Sequence, residues 1–261
     1  MRNIITLSSD INYLDYSINL IKSINRHIEN IDVLYRCVDF TQHQQDDIMC
    51  LKNKNTYFLF DDVGLSNKKT ILKDIGRSLH YSYNATGFGD IKNFKKVLYS
   101  ERSVYTCHSR FKNILKCLDD DYSIVVALDS DTIVNKDFSH IFKFVESHDL
   151  CVVGEQNRVT NSVEYFKNEG LLMINNTCNS RKYFQAVHDY IFHGDRYKQW
   201  NIDSEAMNHV YSENTINIGL LDTSYKDREA CDDSYMWSGD SINKYKHKFN
   251  EHTPNMDRFG G

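Results

Sequence analysis

Long apolar runs are missing from this 261-residue chain. No stretch approaches the roughly 20 apolar residues that a membrane-spanning helix needs. The opening "MRNIITLSSDINYLDYS" turns polar after Leu7, too early for a secretory leader. Paired cysteines are missing too. The seven cysteines (Cys37, Cys50, Cys107, Cys117, Cys151, Cys178 and Cys231) are scattered and none forms a CxxC pair. An odd, dispersed set argues against a disulfide framework or a zinc site and reads as reduced thiols in a cytosol-like compartment. There is no basic excess: 31 Lys and Arg against 36 Asp and Glu give a net charge of −5, which argues against a general nucleic-acid-binding surface. Proline is almost absent, with Pro254 alone, and no repeat or low-complexity linker divides the chain. These absences lead to the expectation of a soluble, cytoplasmic protein.

What is present suits a packed core: 41% of residues are hydrophobic and 26% charged. Ile4 to Leu7 forms a short β-type run, and "YLDYSINLIKSINRH" then places Tyr13, Tyr16, Ile18, Leu20, Ile21 and Ile24 at spacings that suit an amphipathic helix. "IDVLYRCVDF", a helical "QHQQDDIMCLKN" and the strand "TYFLFDDV" continue the alternation. Strand and helix in this order describe βαβ units and a parallel sheet. Residues 64 to 105 are less regular and include the glycine-bearing "NATGFGD". The helical "SRFKNILKCL" precedes "YSIVVAL", the most apolar strand, and "HDLCVVGEQ" and "GLLMINN" are later strands around the helical "SRKYFQAVHDYIF". The division expected is one α/β domain over residues 1–225, with a polar extension over 226–261.

The sequence "VVALDSDTIVNKDF" ends its apolar strand on two acids, Asp129 and Asp131. Ligands of open parallel sheets bind beyond the carboxyl ends of strands. Alternation puts side chains at i and i+2 on one side, so both carboxylates can face one cation. Oxygen ligands with open positions suit Mg²⁺ or Mn²⁺, whose other ligands are waters and substrate phosphates. A metal-bound diphosphate is the natural reading, the metal neutralising charge on a departing nucleotide. A plain turn after the strand is the simplest competitor, since Asp and Ser favour turns. A phosphatase with a DxDxT motif is another, but Thr132 comes one position early and Ile133 takes its place. A sugar nucleotidyltransferase would open with a glycine- and Arg/Lys-rich loop, and "TLSSDINY" has neither glycine nor a basic residue.

Taken with "TLSSDINY", "FKNEGLLMINN" and "NIDSEAMNHVY", the acidic stretch resembles the GT-A glycosyltransferases with a DxD motif, and within them the glycogenin-like, family 8 type. The likeness covers most of residues 4 to 210. It implies a Rossmann-like, mostly parallel sheet flanked by helices, and transfer of a sugar from a nucleotide sugar, a UDP-hexose by the family's habit, to a hydroxyl of a carbohydrate or glycoconjugate acceptor. It also implies retention at the anomeric carbon. A nucleotidyltransferase, or a member of the fold that only binds nucleotide sugar, is the alternative. By the same resemblance Leu7, Ser8 and Tyr13 lie near the base, Arg110 and Ser130 near the diphosphate, and Asp129 and Asp131 on Mn²⁺ or Mg²⁺. Asn168 and Asp203 then contact the donor sugar.

Two departures stand out. The family's late His-x-x-Gly-x-x-Lys segment falls on "MWSGDSINKYKHK", where Met236 replaces the histidine and Ile242 the lysine, and Ser204 stands where the family has glutamine. Asp240, His247 or His252 then becomes the candidate third metal ligand, and Lys244, Lys246 or Lys248 the candidate phosphate partner. Asp203 also reads as a helix N-cap. Glu155 and Glu169 are spare acids able to serve as a general base in an inverting enzyme. His108 and His188 read as structural. The loop from Gly87 to Asp90 and the C-terminal tail are candidates for parts that order when donor binds.

Overall fold

The parity of the apolar residues decides which side of the sheet each one faces. In the computed structural model, which describes residues 2–72, 98–156, 163–164 and 170–238, thirteen strands are found. They are β1 (Asn3–Ser9), β2 (Asp32–Val38), β3 (Thr56–Asp61), β4 (Lys69–Leu72), β5 (Leu98–Ser100), β6 (Ile124–Leu128) and β7 (Thr132–Val134). After these come β8 (Leu150–Val153), β9 (Glu155–Gln156), β10 (Val163–Glu164), β11 (Leu171–Asn175), β12 (Ile218–Leu221) and β13 (Met236–Ser238). The helices are α1 (Leu14–His27), α2 (Gln42–Met49), α3 (Glu101–His108), α4 (Arg110–Asp119), α5 (Phe142–Val145), α6 (Cys178–Phe192) and α7 (Ile202–Glu213).

Seven strands form one sheet in the order β12-β8-β11-β6-β1-β2-β3. β1 pairs in parallel with both β2 and β6, β2 with β3, and β12 with β8. Only β11 runs against its neighbours, with Leu171 opposite Leu128 and Leu172 opposite Val152. Ile5, Val33, Val126 and Met173 pack with Leu20, Ile21 and Ile24 of α1 on one face. Ile4, Leu34, Val125 and Leu172, each one residue out of step, pack with Phe111, Ile114, Tyr183, Phe184 and Met207 of α4, α6 and α7 on the other. A strand's two-residue period sends neighbours to opposite layers. Both faces are therefore covered, which is why β6 is apolar and buried throughout.

Local chemistry sets the helix starts. Thr41 and Gln44 form a reciprocal capping box on α2, as do Thr177 and Ser180 on α6. Ser100 accepts from the Ser103 amide at 3.1 Å to start α3, a helix that begins inside the less regular stretch of residues 64 to 105 and runs past its end.

The chain leaves β6 through the acidic turn and returns as β7, which pairs antiparallel with β13 so that Thr132 faces Ser238 and Val134 faces Met236. The expected division after residue 225 falls inside the short 3₁₀ turn Thr223–Lys226, and the segment beyond it, to Ser238, packs back on β7. Among the described residues, no helix is long and apolar enough to cross a membrane.

Candidate active site

The carboxyl edge of the sheet carries an acid at the end of each of four adjacent parallel strands: Asp10 after β1, Asp39 after β2, Asp61 closing β3 and Asp129 after β6. Arg102 Nε meets Asp39 at 3.1 Å, and Arg36 Nη1 meets Asp61 at 2.7 Å. Asp10 is fully buried and is satisfied by neutral donors: the Asn12 amide at 3.0 Å, the Asn12 side chain at 3.3 Å and the Ser103 hydroxyl at 3.0 Å.

Asp129, Ser130 and Asp131 form the turn between β6 and β7, closed by the Thr132 amide on the Asp129 carbonyl at 3.1 Å. All three side chains are half-buried. The Asp129 amide donates to the carbonyl of Gly170 at 3.0 Å, extending the β6–β11 pairing into the turn. Arg110, first residue of α4, lies across this edge. Its Nε donates to the Cys107 carbonyl at 2.9 Å, and Nη2 lies 3.2 Å from Asp129 Oδ1 and 3.8 Å from Asp203 Oδ2. Three residues expected at the donor site, from three separate segments, are thus brought together.

Asp203 is the second residue of α7, and Asn201, not Asp203, holds the N-cap position. In that first turn the carboxylate gains from the positive end of the helix dipole, and it accepts from the Ser204 amide at 2.9 Å. Cys107 lies among these groups. Burial pushes its thiol up to about 12, with Arg110 opposing and Asp129, Asp203 and Asp10 adding to the rise, so the sulfur stays protonated. His108 is 1% exposed and joins the Tyr197 carbonyl through Nδ1 at 3.0 Å. Burial lowers its pKa below the usual histidine value, against the pull of Asp203, and its imidazole is neutral and structural.

At the expected base edge, Leu7 is 1% exposed and its side chain belongs to the core, so it can offer a ligand only its backbone. The buried Asn113 of α4 donates to the Leu7 carbonyl at 3.1 Å and to Ser8 Oγ at 3.0 Å. Tyr13 ends the short turn Ile11–Tyr13 that Asp10 caps. Its half-buried ring rests 5.8 Å from Tyr16, beside a cluster containing Ile133 and Trp237. Asn168, Glu169, Asp240, His247, His252, Lys244, Lys246, Lys248 and the Gly87–Asp90 loop lie outside the described residues, as does the side chain of Glu155.

Lys226 was not anticipated from the sequence. A Cβ built on Gly170 would stand 2.5 Å from Lys226 Nζ and closer still to Asp129 Oδ2. Ammonium and carboxylate thus share the small space over the glycine. Asn113 and Asp10 were also missed. An amide within an apolar helical stripe and an Asp-x-Asn turn at a strand end are the signals that mark them.

The expected Mn²⁺ or Mg²⁺ is tested by these surroundings. Asp129 Oδ1 faces a guanidinium, and Oδ2 shares its space with an ammonium. A divalent ion bridging Asp129 and Asp131 would sit against the Arg110 guanidinium and compete with the Lys226 ammonium for the same carboxylate. Among the described residues, no three His, Cys, Asp or Glu side chains gather as a metal site. Asp129 is thus already engaged by cations of the chain itself, which a metal held by both carboxylates would have to displace.

No protein-family model matches the chain, and no curated protein sequence does. Solved structures do resemble it. The apo form of the glycosyltransferase GlyE of Streptococcus pneumoniae TIGR4 aligns with a TM-score of 0.57 at 12% identity, over 97% of this chain and 60% of GlyE. The galactosyltransferase LgtC, in complex with donor and acceptor sugar analogues, aligns with a TM-score of 0.55 at 13% identity, over 97% of this chain and 95% of LgtC. The chain therefore spans about three-fifths of the length of GlyE. At such identities the likeness is one of architecture, and the chain has the α/β fold of the GT-A glycosyltransferases.

Proposed function

We propose that this protein is a glycosyltransferase that takes a sugar from a nucleoside-diphosphate sugar, a UDP-hexose by the sequence resemblance, and delivers it to a hydroxyl of a carbohydrate or glycoconjugate acceptor. The observation that carries this reading is Arg110, held between Asp129 and Asp203 at the carboxyl edge of the sheet. Transfer leaves negative charge on the departing diphosphate. A guanidinium already oriented at that edge stabilises the charge without reorganising during the reaction. Asp129 fixes one side of the guanidinium, and the Cys107 carbonyl fixes its root. Asp203, at the first turn of α7, is the residue we assign to the donor sugar's hydroxyls. The Leu7–Ser8 backbone, braced by Asn113, and the ring of Tyr13 form the floor proposed for the base. Retention at the anomeric carbon rests on the resemblance alone, and in that course the leaving phosphate itself takes the acceptor's proton.

The test is a panel of nucleotide sugars assayed for nucleoside diphosphate release and for thermal stabilisation, with Mn²⁺, with Mg²⁺ and with chelator. Stabilisation and turnover of at least one donor are expected. A protein that no nucleotide sugar stabilises under any of these conditions does not have this function. Pyrophosphate release from a nucleoside triphosphate would point to a nucleotidyltransferase instead.

A further inference from the structure

Lys226 ends the 3₁₀ turn that follows β12, and the chain on both sides of it is pinned. Before it, Asp222 accepts from the Ser224 amide at 2.8 Å. Tyr225, 4% exposed, stacks on Tyr235 with centroids 4.8 Å apart and joins His140 Nε2 through its hydroxyl at 3.1 Å. After it, the Asp227 amide donates to the Met236 carbonyl at 2.9 Å, and the Asp227 carbonyl accepts from the Ser238 amide at 2.7 Å. The Asp227 carboxylate accepts from the Glu229 amide at 2.7 Å and the Ser234 hydroxyl at 2.8 Å. A backbone held this way sets the direction in which the lysine leaves it.

That direction runs over Gly170 to the acidic turn. Lys226 Cε lies 2.9 Å, and Nζ 2.5 Å, from the point a Cβ on residue 170 would take. Any side chain at 170 would meet the lysine stem and the Asp129 carboxylate together. The bare Cα is what lets the ammonium reach the turn. Arg110 stands at the other oxygen of the same carboxylate. Asp129 is therefore flanked by a rigid cation and by a flexible one. A lysine is a point charge on a four-carbon stem, able to exchange a carboxylate oxygen for a phosphate oxygen by a small swing.

We infer that Lys226 is a resident cation of the diphosphate site, binding the donor's phosphates through the protein where the fold's acidic pair would otherwise need a divalent ion. The inference rests on the proposed function and adds to it a phosphate-contacting residue and a source of affinity that chelation does not remove. It also accounts for two positive charges gathered on a carboxylate expected to hold a metal.

The test uses the full chain and UDP as probe, titrated by calorimetry in EDTA and again in Mn²⁺. Wild type, Lys226→Gln, Lys226→Arg and Gly170→Ala are compared, with the surface variant Lys136→Gln as control. Wild type is expected to bind UDP in EDTA, and Lys226→Gln to weaken that binding about tenfold or more. Lys226→Arg should restore part of it, Gly170→Ala should lose it with the lysine still present, and Lys136→Gln should leave it unchanged. Thermal melts without ligand confirm that each variant is folded. Wild-type binding that requires Mn²⁺, or undiminished binding by Lys226→Gln in EDTA, overturns the inference and leaves the donor assignment standing. Failure of wild type to bind UDP in either condition overturns the inference together with the UDP assignment of the donor.

Discussion

Arg36 meets both oxygens of Asp61 from Nη1 at 2.7 Å, with the two side chains only 10% and 20% exposed. The same guanidinium holds Asn113 Oδ1 through Nε at 2.6 Å, and Asn113 holds the Leu7 carbonyl and Ser8. The pair therefore braces the edge proposed for the base from one residue away. Removing one partner of a buried ion pair leaves a charge uncompensated, at a cost of ~3–5 kcal/mol. Arg36→Met should lower the urea midpoint accordingly with an unchanged slope, and adding Asp61→Leu should recover much of the loss. A single variant as stable as wild type would show that the pair adds nothing.

Arg110 is the cation predicted to matter most for turnover. Arg110→Ala should reduce donor turnover on the order of 10²-fold, the scale of losing a closely paired buried charge. Arg110→Lys should not rescue it, because one ammonium cannot hold the Cys107 carbonyl and also reach both Asp129 and Asp203. Steady-state kinetics with the best donor of the panel decides this. A lysine variant of near wild-type rate would remove the geometric argument.

Two glycines separate the site from the scaffold. A Cβ on Gly170 meets the ends of two flexible side chains, which can shift, so Gly170→Ala should fold with a melting point near wild type yet lose donor affinity. A Cβ on Gly219 meets Cys151 Sγ at 2.7 Å and the His148 ring at 2.9 Å, beneath the β12–β8 pairing. Gly219→Ala is overpacking within the fold and should cost ~1–3 kcal/mol, with donor affinity unchanged in the fraction that remains folded. Melting curves and UDP titrations on the same samples should show the two effects falling on different variants.

Much of this architecture was legible because long strands and helices announce their period. β1, β2, β3, β6, α1, α4 and α6 all lie where the apolar spacing put them. The reversal of β11 was not legible, since "GLLMINN" shows the same apolar faces whichever way it runs. β7 and β13 have three residues each, and β12 is broken by Gly219, so none carries enough period to be seen. The site divides in the same way. Asp129 is visible in sequence as the end of an apolar strand, whereas Arg110 and Asp203 were named only through the family resemblance, and their meeting at one edge is a fact of the fold. Lys226 could not be found, because only tertiary folding brings it to Gly170 and Asp129.

The turn after Lys226 should be acid-sensitive. Burial pushes the Asp227 carboxyl up, but the amides of Cys231 and Glu229 and the Ser234 hydroxyl outweigh it and hold the pKa below the ordinary 3.8. A pKa depressed by folding means that the stabilisation is complete above the unfolded value and is lost as pH falls through the lower folded value. Trp237, 4% exposed with its indole N–H on the Cys231 carbonyl at 2.8 Å, reports on this segment. In a Trp200→Phe background, its emission should shift to the red only below about pH 3.8, and Asp227→Asn should be shifted already at neutral pH with no further acid step. Identical titrations would sink the assignment.

The position of β1 between β2 and β6 has a consequence for the newborn chain. Its β2 edge can close as soon as residue 38 is made, whereas its β6 edge waits for residues 124–128. Pairings between such distant segments form slowly, because loop entropy must be overcome before any contact rewards it. Until then the unpaired amides and carbonyls of Asn3–Thr6 are an open, apolar edge of the kind that recruits other chains. In refolding, hydrogen-exchange protection on the β6 side of β1 should therefore lag that on the β2 side. The acidic turn begins one residue beyond β6, so the same late event that closes this edge of β1 also brings Asp129 to the site.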